Sequence, residues 1–308
     1  MSTAFLKEQC AYVPEIVGDI PATSSVVCGG MGGSALHARV LQGQLPHIQM
    51  HTDYGVPENA SPDALYIATS YSGETEETLS FFNEAQERGY RTAVIAAGGS
   101  LLAKAKAKNI PYIEVPSGRE PRDAFLVLVK ALLALLGEQE RMAAWSAYPD
   151  LEEETLEEAK LLATSLEAGI PLIYSSQRNE PAAYLAKITL NETAKVPAFS
   201  NTFPELNHNE IQGLDPLGKT AELSEPLVVV LYKDASDHER IQVRMDALEE
   251  VLRKRNVKVI SIAFPEGTYE YKVLWSLMLV RTAAHLLADT YGVMADATPL
   301  IADFKKLL

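Results

Sequence analysis

The chain has 308 residues, which is enough for about two domains. Hydrophobic residues make up 47% of it and charged residues 22%, an ordinary balance for a globular protein, and the formal net charge is −14. Nucleic acids and anionic membranes bind basic protein faces, so this charge argues against both as the main partner. A small phosphate ligand remains compatible with it, because such a ligand needs only a local group of donors.

The two cysteines, Cys10 and Cys28, are too few for a disulfide framework, and Cys28 lies in an apolar run where we expect it to be buried. The N-terminus lacks a basic segment followed by an apolar core, so we expect no signal peptide. The longest apolar stretch, residues 124–136, is too short to span a bilayer and predicts a buried core helix. These features favour a cytoplasmic protein.

Short apolar runs alternate with helical patterns along the first half of the chain. The predicted strands are 25–28, 64–69, 92–96 and 111–115, and the predicted helices are 34–42, 76–88, 101–107 and 122–136. This alternation is typical of a parallel sheet with helices on both faces. An acidic segment over 142–166 predicts a solvated helix that joins two halves.

A second series of the same kind follows the acidic segment. Its predicted strands are 171–176, 227–232 and 257–263, and its predicted helices are 182–195, 238–255 and 269–291. Residues 64–97 align with residues 226–263, with strand, turn, helix and strand at nearly the same offsets. We therefore interpret the chain as one doubly wound, flavodoxin-like α/β domain present twice, in residues 1–150 and 151–308. The alternative is two unrelated doubly wound domains.

The loop after the strand at 64–69 reads SYSGET and opens a helix. Helix N-termini carry unpaired N–H groups, and the hydroxyls of Ser70, Ser72 and Thr75 add donors around them. The plain alternative is a capping box. Three hydroxyls and a glycine at the carboxyl end of a parallel strand favour a phosphate site. The matching loop in the second copy, 233–237, carries two carboxylates and predicts no anion site.

A glycine-rich loop, GGMGGS at 29–34, follows the first predicted strand. Four glycines there mean that the backbone turns sharply or closely approaches a ligand. The dinucleotide pattern does not fit, although Asp53 keeps a nucleotide as a minor alternative, and no Gly-Lys-Ser/Thr follows to make a P-loop. A tight turn without a ligand is the other alternative.

Both loops resemble the signature of SIS (sugar isomerase) domains, GMGGS followed by SYSGxTxET. Further on, NETAK, ELNHNEIQG and ATPLIADFKKLL resemble the bifunctional phosphoglucose/phosphomannose isomerases of archaea and bacteria. The resemblance covers the whole chain. It implies two tandem SIS domains and an isomerase that interconverts glucose 6-phosphate and mannose 6-phosphate with fructose 6-phosphate through an enediolate. The scattered histidines predict no metal site, and no cofactor is implied.

The resemblance also implies roles for individual residues. Glu192 would be the base at C2, His208 the ring-opening acid/base supplied by the neighbouring subunit of a homodimer, and Lys305 a second ring-opening group. Arg122 would stabilise the enediolate. The implied substrate-binding residues are Gly33, Ser34, Ser70, Ser72, Thr75 and Thr298, with Thr298 near C1 and C2.

Without the resemblance, these residues have ordinary interpretations. Glu192 would be a surface carboxylate paired with Lys195, and Lys305 would lie in a frayed C-terminal tail. The asparagines on both sides of His208 predict hydrogen bonds that orient it. Arg122 would open a helix, where its charge opposes the helix dipole.

Two other functions remain open. One is an isomerase for a single epimer or another sugar phosphate, and the other is a non-catalytic SIS sensor, which would not need Glu192, His208 and Lys305 together. An aminotransferase is disfavoured because no glutamine-hydrolysing domain precedes the SIS pair. Thr193 stands where the family usually has an asparagine, and Asn207 stands where it often has a histidine. Both differences leave the substrate preference open.

Overall fold

The computed structural model describes residues 5–59 and 61–307. The chain divides into two compact units, Met1–Asp150 and Leu151–Leu308. Within the described ranges, no helix has the length and apolar character needed to cross a membrane.

The described residues of the first unit form six strands and six α-helices. The strands are β1 (Ile16–Val17), β2 (Val26–Gly29), β3 (Ile48–His51), β4 (Leu65–Thr69), β5 (Arg91–Ala96) and β6 (Tyr112–Glu114). The helices are α1 (Phe5–Ala11), α2 (Leu36–Gln42), α3 (Glu76–Glu87), α4 (Gly99–Ala107), α5 (Phe125–Leu135) and α6 (Gln139–Trp145). Two 3-10 turns, Gly32–Ala35 and Pro121–Ala124, precede α2 and α5.

The first sheet has the order β1-β6-β5-β4-β2-β3, and only β1 is antiparallel to its neighbour. If the five parallel strands β2 to β6 are numbered 1 to 5 in chain order and the sheet is followed from β3, they lie 2-1-3-4-5. This is the flavodoxin-like order. Every residue of β2 and β4 is buried, as expected for central strands covered by helices on both faces. Cys28, on β2, is buried as predicted.

Over residues 151–307, the second unit forms four strands and seven α-helices. The strands are β7 (Ile170–Ser176), β8 (Phe199–Phe203), β9 (Leu227–Lys233) and β10 (Lys258–Ala263). The helices are α7 (Leu151–Glu154), α8 (Leu156–Leu166), α9 (Glu180–Thr189), α10 (Ala221–Ser224), α11 (Glu239–Lys254), α12 (Tyr269–Tyr291) and α13 (Pro299–Lys305). A π-helical turn (Leu190–Ala194) continues α9, and 3-10 turns cover Glu205–His208, Glu210–Leu214 and Gly218–Thr220.

The second sheet is parallel throughout, with the order β10-β9-β7-β8. If β7 to β10 are numbered 1 to 4 in chain order and the sheet is followed from β8, the strands lie 2-1-3-4. This is the order of the first sheet without its fifth strand. The predicted α/β class with parallel, helix-flanked sheets is therefore confirmed. The shared strand order also favours a repeated domain over two unrelated ones.

The sequence analysis missed three strands, β1, β3 and β8, and all three lie at sheet edges. β1 has only two residues, and β3 and β8 each pair with one neighbour. Edge strands are only partly covered, so β8 reads FSNTF and lacks the continuous apolar run of a central strand.

The acidic segment 142–166 is not a single solvated helix. It contains the end of α6, then α7 and α8, and α8 packs against α12. The buried residues of α8 are Ala159, Leu162, Ala163 and Leu166, which form one stripe at helical spacing. The sequence prediction followed the acidic residues on the exposed side of α8 and therefore missed this buried stripe. The helix predicted over 182–195 also ends earlier, at Thr189, where the π turn begins.

Helix α5 is the predicted buried core helix, and hydrogen bonds made by two side chains tie it to α1. All of its residues are buried, including Lys130. The Gln9 side-chain oxygen accepts from the backbone N–H groups of Leu126 (3.2 Å) and Val127 (3.4 Å) in its first turn. The Lys130 ammonium donates to the carbonyl oxygens of Gln9 (3.3 Å) and Cys10 (2.5 Å) near the end of α1. Each helix thus satisfies unpaired backbone groups of the other.

We expect Gln9→Met to lower the free energy of unfolding by about 1–3 kcal/mol, because methionine fills the space and leaves two buried N–H groups without an acceptor. Chemical denaturation measures this change. Gln42→Met is the matched control at an exposed helical position and should change stability by less than about 0.5 kcal/mol. Equal effects of the two substitutions would show that Gln9 does not act through these bonds.

Candidate active site

The two predicted phosphate loops lie at the switch point of the first sheet. Strands β2 and β4 are neighbours there, and the loops that leave their carboxyl ends are residues 30–34 and 70–75. In doubly wound sheets the loops on either side of this point diverge and leave a crevice, which is where such sheets bind ligands.

Short contacts join the two loops. The Ser34 hydroxyl, 5% exposed, accepts a hydrogen bond from the backbone N–H of Tyr71 at 2.9 Å. At Gly30, an added Cβ would lie 2.8 Å from the carbonyl oxygen of Thr69, so only glycine fits beside the end of β4. Ser34 therefore helps to shape the crevice whether or not it contacts a ligand.

The hydroxyls of the second loop bond within the loop. The Ser70 Oγ lies 2.9 Å from the Thr75 Oγ1 and accepts from the Gly73 N–H at 3.1 Å. Ser72 is exposed, and its Oγ accepts from the Glu74 N–H at 3.3 Å. Thr75 is the N-cap residue of α3, but its side chain makes no capping bond. The capping-box alternative is therefore not observed, and no N-cap side chain covers the N–H groups that open α3.

Gly73 and Glu74 fix the second loop against the chain that follows β5. Gly73 has a φ of +74°, and an added Cβ would lie 1.9 Å from the carbonyl oxygen of Gly98. The Glu74 carboxylate accepts from the Ser100 N–H at 2.7 Å and from the Ser100 hydroxyl at 2.8 Å, at the start of α4. This negative charge is thereby engaged at the N-terminus of another helix.

Arg122 lies beside the glycine-rich loop. An added Cβ at Gly33 would lie 2.7 Å from the Arg122 backbone nitrogen, so the 3-10 turn Pro121–Ala124 packs directly on this glycine. The Arg122 side chain is 4% exposed, and its Nη1 lies 3.6 Å from Glu120 Oε2. The structure thus places all predicted site residues of the first unit on the loops at, or packed against, this switch point.

His37, which the sequence analysis did not single out, supports these loops from α2. It is 1% exposed, and its Nε2 lies 3.2 Å from the Thr69 hydroxyl at the end of β4. Burial lowers the pKa of His37 to about 3. Its position three residues after Ser34 carried no recognisable signal.

The switch point of the second unit, between β7 and β9, contains charged groups that bond to one another. Lys272 Nζ lies 2.6 Å from Asp234 Oδ1, and the two side chains are 5% and 1% exposed. The Ser176 hydroxyl donates to Asp237 at 2.7 Å, and Asn179 Nδ2 donates to Asp234 at 3.1 Å and to Asp237 at 3.3 Å.

The pKa values of these two carboxyl groups move in opposite directions. Burial alone would raise the pKa of Asp234, but hydrogen bonds from Lys272, the Ser236 N–H and Asn179 outweigh it and lower the pKa. Burial raises the pKa of Asp237. An anion at this loop would meet both carboxyl groups.

Glu192 lies on the π-helical turn that ends α9, and this turn packs against α12. Glu192 itself is half-buried. The Lys195 ammonium donates to the backbone carbonyls of Glu192 (2.5 Å), Thr193 (3.3 Å) and Ala295 (3.1 Å). Lys195 therefore links the Glu192 turn to the segment that leads to Thr298. Wide π turns of this kind are frequent at functional sites.

His208 is exposed at the end of the turn Glu205–His208. The flanking asparagines do not orient its ring, contrary to expectation. The Asn207 Oδ1 accepts from Arg244 at 3.4 Å, and the Asn209 Oδ1 accepts from the Glu210 N–H at 2.6 Å. Within residues 5–59 and 61–307, the imidazole has no hydrogen-bond partner, so no bond joins it to Glu192 or Thr298.

Thr298 and Lys305 mark the two ends of α13. Thr298 is the half-buried N-cap residue, and Lys305 is exposed in the last turn. Lys305 thus ends a regular helix and does not lie in a frayed tail. The same helix exposes Leu300 (83%) and Phe304 (60%).

Comparison with known proteins assigns the family. Residues 155–308 match the bacterial phospho-glucose isomerase C-terminal SIS domain. A curated bifunctional phosphoglucose/phosphomannose isomerase of Caldicellulosiruptor bescii is 34% identical over 298 residues, which cover 89% of this chain and 86% of that protein. The chain belongs to the bifunctional phosphoglucose/phosphomannose isomerase family. The resemblance drawn from the loop motifs is thereby confirmed.

One relative of this chain is named for a different reaction. The D-glucosamine-6-phosphate 4-epimerase of Sulfolobus acidocaldarius is 31% identical, with 69% of this chain and 72% of that protein covered. Among solved structures, a hypothetical protein from Thermus thermophilus has a TM-score of 0.77 at 18% identity, covering 92% of this chain and 83% of that one. The second likeness concerns the fold alone.

The buried His37 predicts a dependence of stability on pH. The unfolded chain binds a proton at His37 near pH 6.5, whereas the folded chain does so only near pH 3. Between these values folding releases a proton, so stability falls as the pH falls, by up to about 1.4 kcal/mol per pH unit. Well above pH 6.5, where His37 is neutral in both the folded and the unfolded chain, this group has no effect.

We expect His37→Gln to remove this slope between about pH 4 and pH 6, measured by denaturant unfolding at several pH values. His47→Gln, at an exposed position, is the control and should keep the wild-type slope. An unchanged slope in His37→Gln would mean that other groups cause the acid sensitivity.

Proposed function

We propose that this protein is an aldose–ketose isomerase that interconverts glucose 6-phosphate and mannose 6-phosphate with fructose 6-phosphate. The observation that carries the proposal is the pair of hydroxyl-bearing loops at the switch point of the first sheet. These loops belong to a chain that matches the isomerase family over most of its length. The family name specifies the reaction, and the loops account for recognition of a phosphate.

We assign the phosphate group to Ser34, Ser70, Ser72 and Thr75, with Gly33 allowing close backbone approach. Hydroxyls and helix N–H groups recognise a phosphate through hydrogen bonds and the helix dipole, without a lysine. The uncapped start of α3 and the engagement of Glu74 with Ser100 support this assignment.

We assign proton transfer to groups of the second unit. Moving hydrogen between C2 and C1 needs a base over C2, and opening the sugar ring needs an acid/base. Glu192 is assigned as the base, His208 as the ring-opening group and Lys305 as its helper. The half-buried position of Glu192 on a π turn that is packed against α12 supports a fixed carboxylate.

Arg122 and Thr298 complete the assignment. The enediolate carries a developing negative charge, which a fixed guanidinium stabilises. Arg122 is buried and packed on the glycine-rich loop, as such a role requires. Thr298 is assigned to the pocket near C1 and C2, where a small side chain leaves room for both C2 epimers. The mechanism uses no metal or cofactor.

We further propose that the protein works as a cytoplasmic homodimer in which the partner supplies His208. An exposed imidazole with no bond to Glu192 supports donation to another chain. The proposal assigns no role to nucleic acid or to a membrane, in keeping with the net charge of −14.

The relative named as a D-glucosamine-6-phosphate 4-epimerase suggests a second candidate, an epimerase for an amino sugar phosphate. A non-catalytic sensor is the third. Glucose, mannose and glucosamine 6-phosphates tested side by side separate them, since the isomerase forms fructose 6-phosphate, the epimerase converts only the amino sugar, and the sensor binds without turnover.

We expect the wild type to convert both hexose phosphates and Glu192→Gln to lose about 10²–10⁴ in turnover rate, because glutamine has nearly the same shape but cannot accept the C2 proton. Substrate binding should change little, because the phosphate is assigned to other loops. Turnover is measured by coupled assay, and proton abstraction by deuterium exchange at C2 in heavy water.

Glu158→Gln, on the exposed side of α8, is the matched control and should retain wild-type rates. If Glu192→Gln exchanges the C2 proton at a near wild-type rate, Glu192 is not the base and the assignment fails.

Mixing two variants that each lose most of their activity tests the shared site. We expect Glu192→Gln mixed with His208→Ala to recover activity, because one of the two sites in a mixed dimer retains both groups. Statistical exchange gives half mixed dimers with one complete site each, so about a quarter of wild-type activity returns, one site in four being intact. Proven subunit exchange without recovery would contradict the sharing of His208.

A further inference from the structure

The carboxylate of Glu210 is held by two neighbouring strands of the second sheet. The Tyr174 hydroxyl donates to its Oε1 at 2.6 Å, and the Asn201 side-chain amide donates to its Oε2. Tyr174 on β7 and Asn201 on β8 are register partners, so their side chains leave the same face of the sheet. Both carboxylate oxygens therefore bond to adjacent positions of a rigid framework.

The Tyr174 bond is a strong one. The Tyr174 side chain is fully buried. Burial and the bond to Glu210 raise the pKa of the phenol, so the hydroxyl remains a donor at any physiological pH. Hydrogen bonds to an ionised acceptor are shorter and about twice as strong as neutral ones. Glu210 thus anchors its own backbone to β7 and β8.

The anchored backbone carries His208 two residues earlier. On the other side of His208, Leu206 is 0% exposed and packs in the core of the second unit. Asn209 bonds to both sides of the turn, donating to Glu205 Oε1 at 3.0 Å and accepting from the Glu210 N–H at 2.6 Å. The backbone is therefore fixed before and after His208, while its ring remains exposed.

We propose that Glu210 is a positioning residue for His208, acting together with Tyr174 and Asn201. The proposal rests on the ring-opening role proposed for His208 above. Glu210 touches no reacting atom in this account; it fixes the turn from which the imidazole projects. A displacement of about 1 Å at a reacting group lowers rates by about 100-fold, so a loosened turn is expected to cost turnover and to leave substrate affinity nearly unchanged.

The matched pair of variants is Glu210→Gln and Glu205→Gln, which lie on the same segment. Glu210→Gln places an amide NH₂ where an acceptor is needed, because one of the two carboxylate oxygens becomes a donor. We expect kcat to fall by about 10-fold to 100-fold with KM within about 2-fold of wild type. Glu205 is exposed, and glutamine keeps an oxygen that can accept the bond from Asn209, so Glu205→Gln should stay within about 2-fold of wild type in both parameters.

A double-mutant cycle separates positioning from general damage. If Glu210 acts through His208, adding Glu210→Gln to His208→Ala should change the remaining rate by less than about 2-fold. Partial unfolding would lower the rate by the same factor in both backgrounds. Equal factors, or wild-type turnover in Glu210→Gln, would overturn the proposal.

A second measurement does not depend on the reaction. Backbone hydrogen exchange over residues 205–214 should become faster in Glu210→Gln and in Tyr174→Phe, but not in Glu205→Gln. Unchanged exchange in the first two variants overturns the anchor itself. A wild type that does not turn over hexose phosphates refutes the proposed function, and the exchange data still decide whether Glu210 fixes the turn.

Discussion

Both sheets face the same constraint: where strand order reverses, two loops diverge and open a crevice that polar groups must fill. In the first unit, between β2 and β4, glycine backbone and the hydroxyls of Ser34 and Ser70 line this crevice. In the second unit, between β7 and β9, it contains the buried pair of Asp234 and Lys272. The scaffold is repeated, and the contents of the crevice make the two copies chemically different.

The difference in charge decides which copy suits an anion. A buried ion pair is retained only when further hydrogen bonds satisfy its remaining groups, and Asn179 and Ser236 supply them for Asp234 and Lys272. A phosphate there would have to displace this network while facing two carboxyl groups. The first crevice offers hydroxyls and an uncapped helix start, so a phosphate adds partners without breaking an ion pair.

The sequence allowed prediction of elements with strong periodicity and of the loops that join them. Helix α12 begins and ends where its pattern predicts, and α5 is buried as its apolar run indicates. The edge strands β1, β3 and β8 were missed because they are short or lack a continuous apolar run, and the π turn at Glu192 was missed because helical periodicity does not encode the wider turn. The bonds of Glu210 depend on the register of β7 and β8, which no local pattern of residues specifies.

The most direct test of this account is a crystal structure of the protein with bound fructose 6-phosphate. The account predicts the phosphate group within hydrogen-bond distance of Ser70, Ser72 and Thr75, at the start of α3, and the ion pair of Asp234 and Lys272 intact. A phosphate bound at residues 233–237 of the second unit, with that ion pair broken, would contradict it.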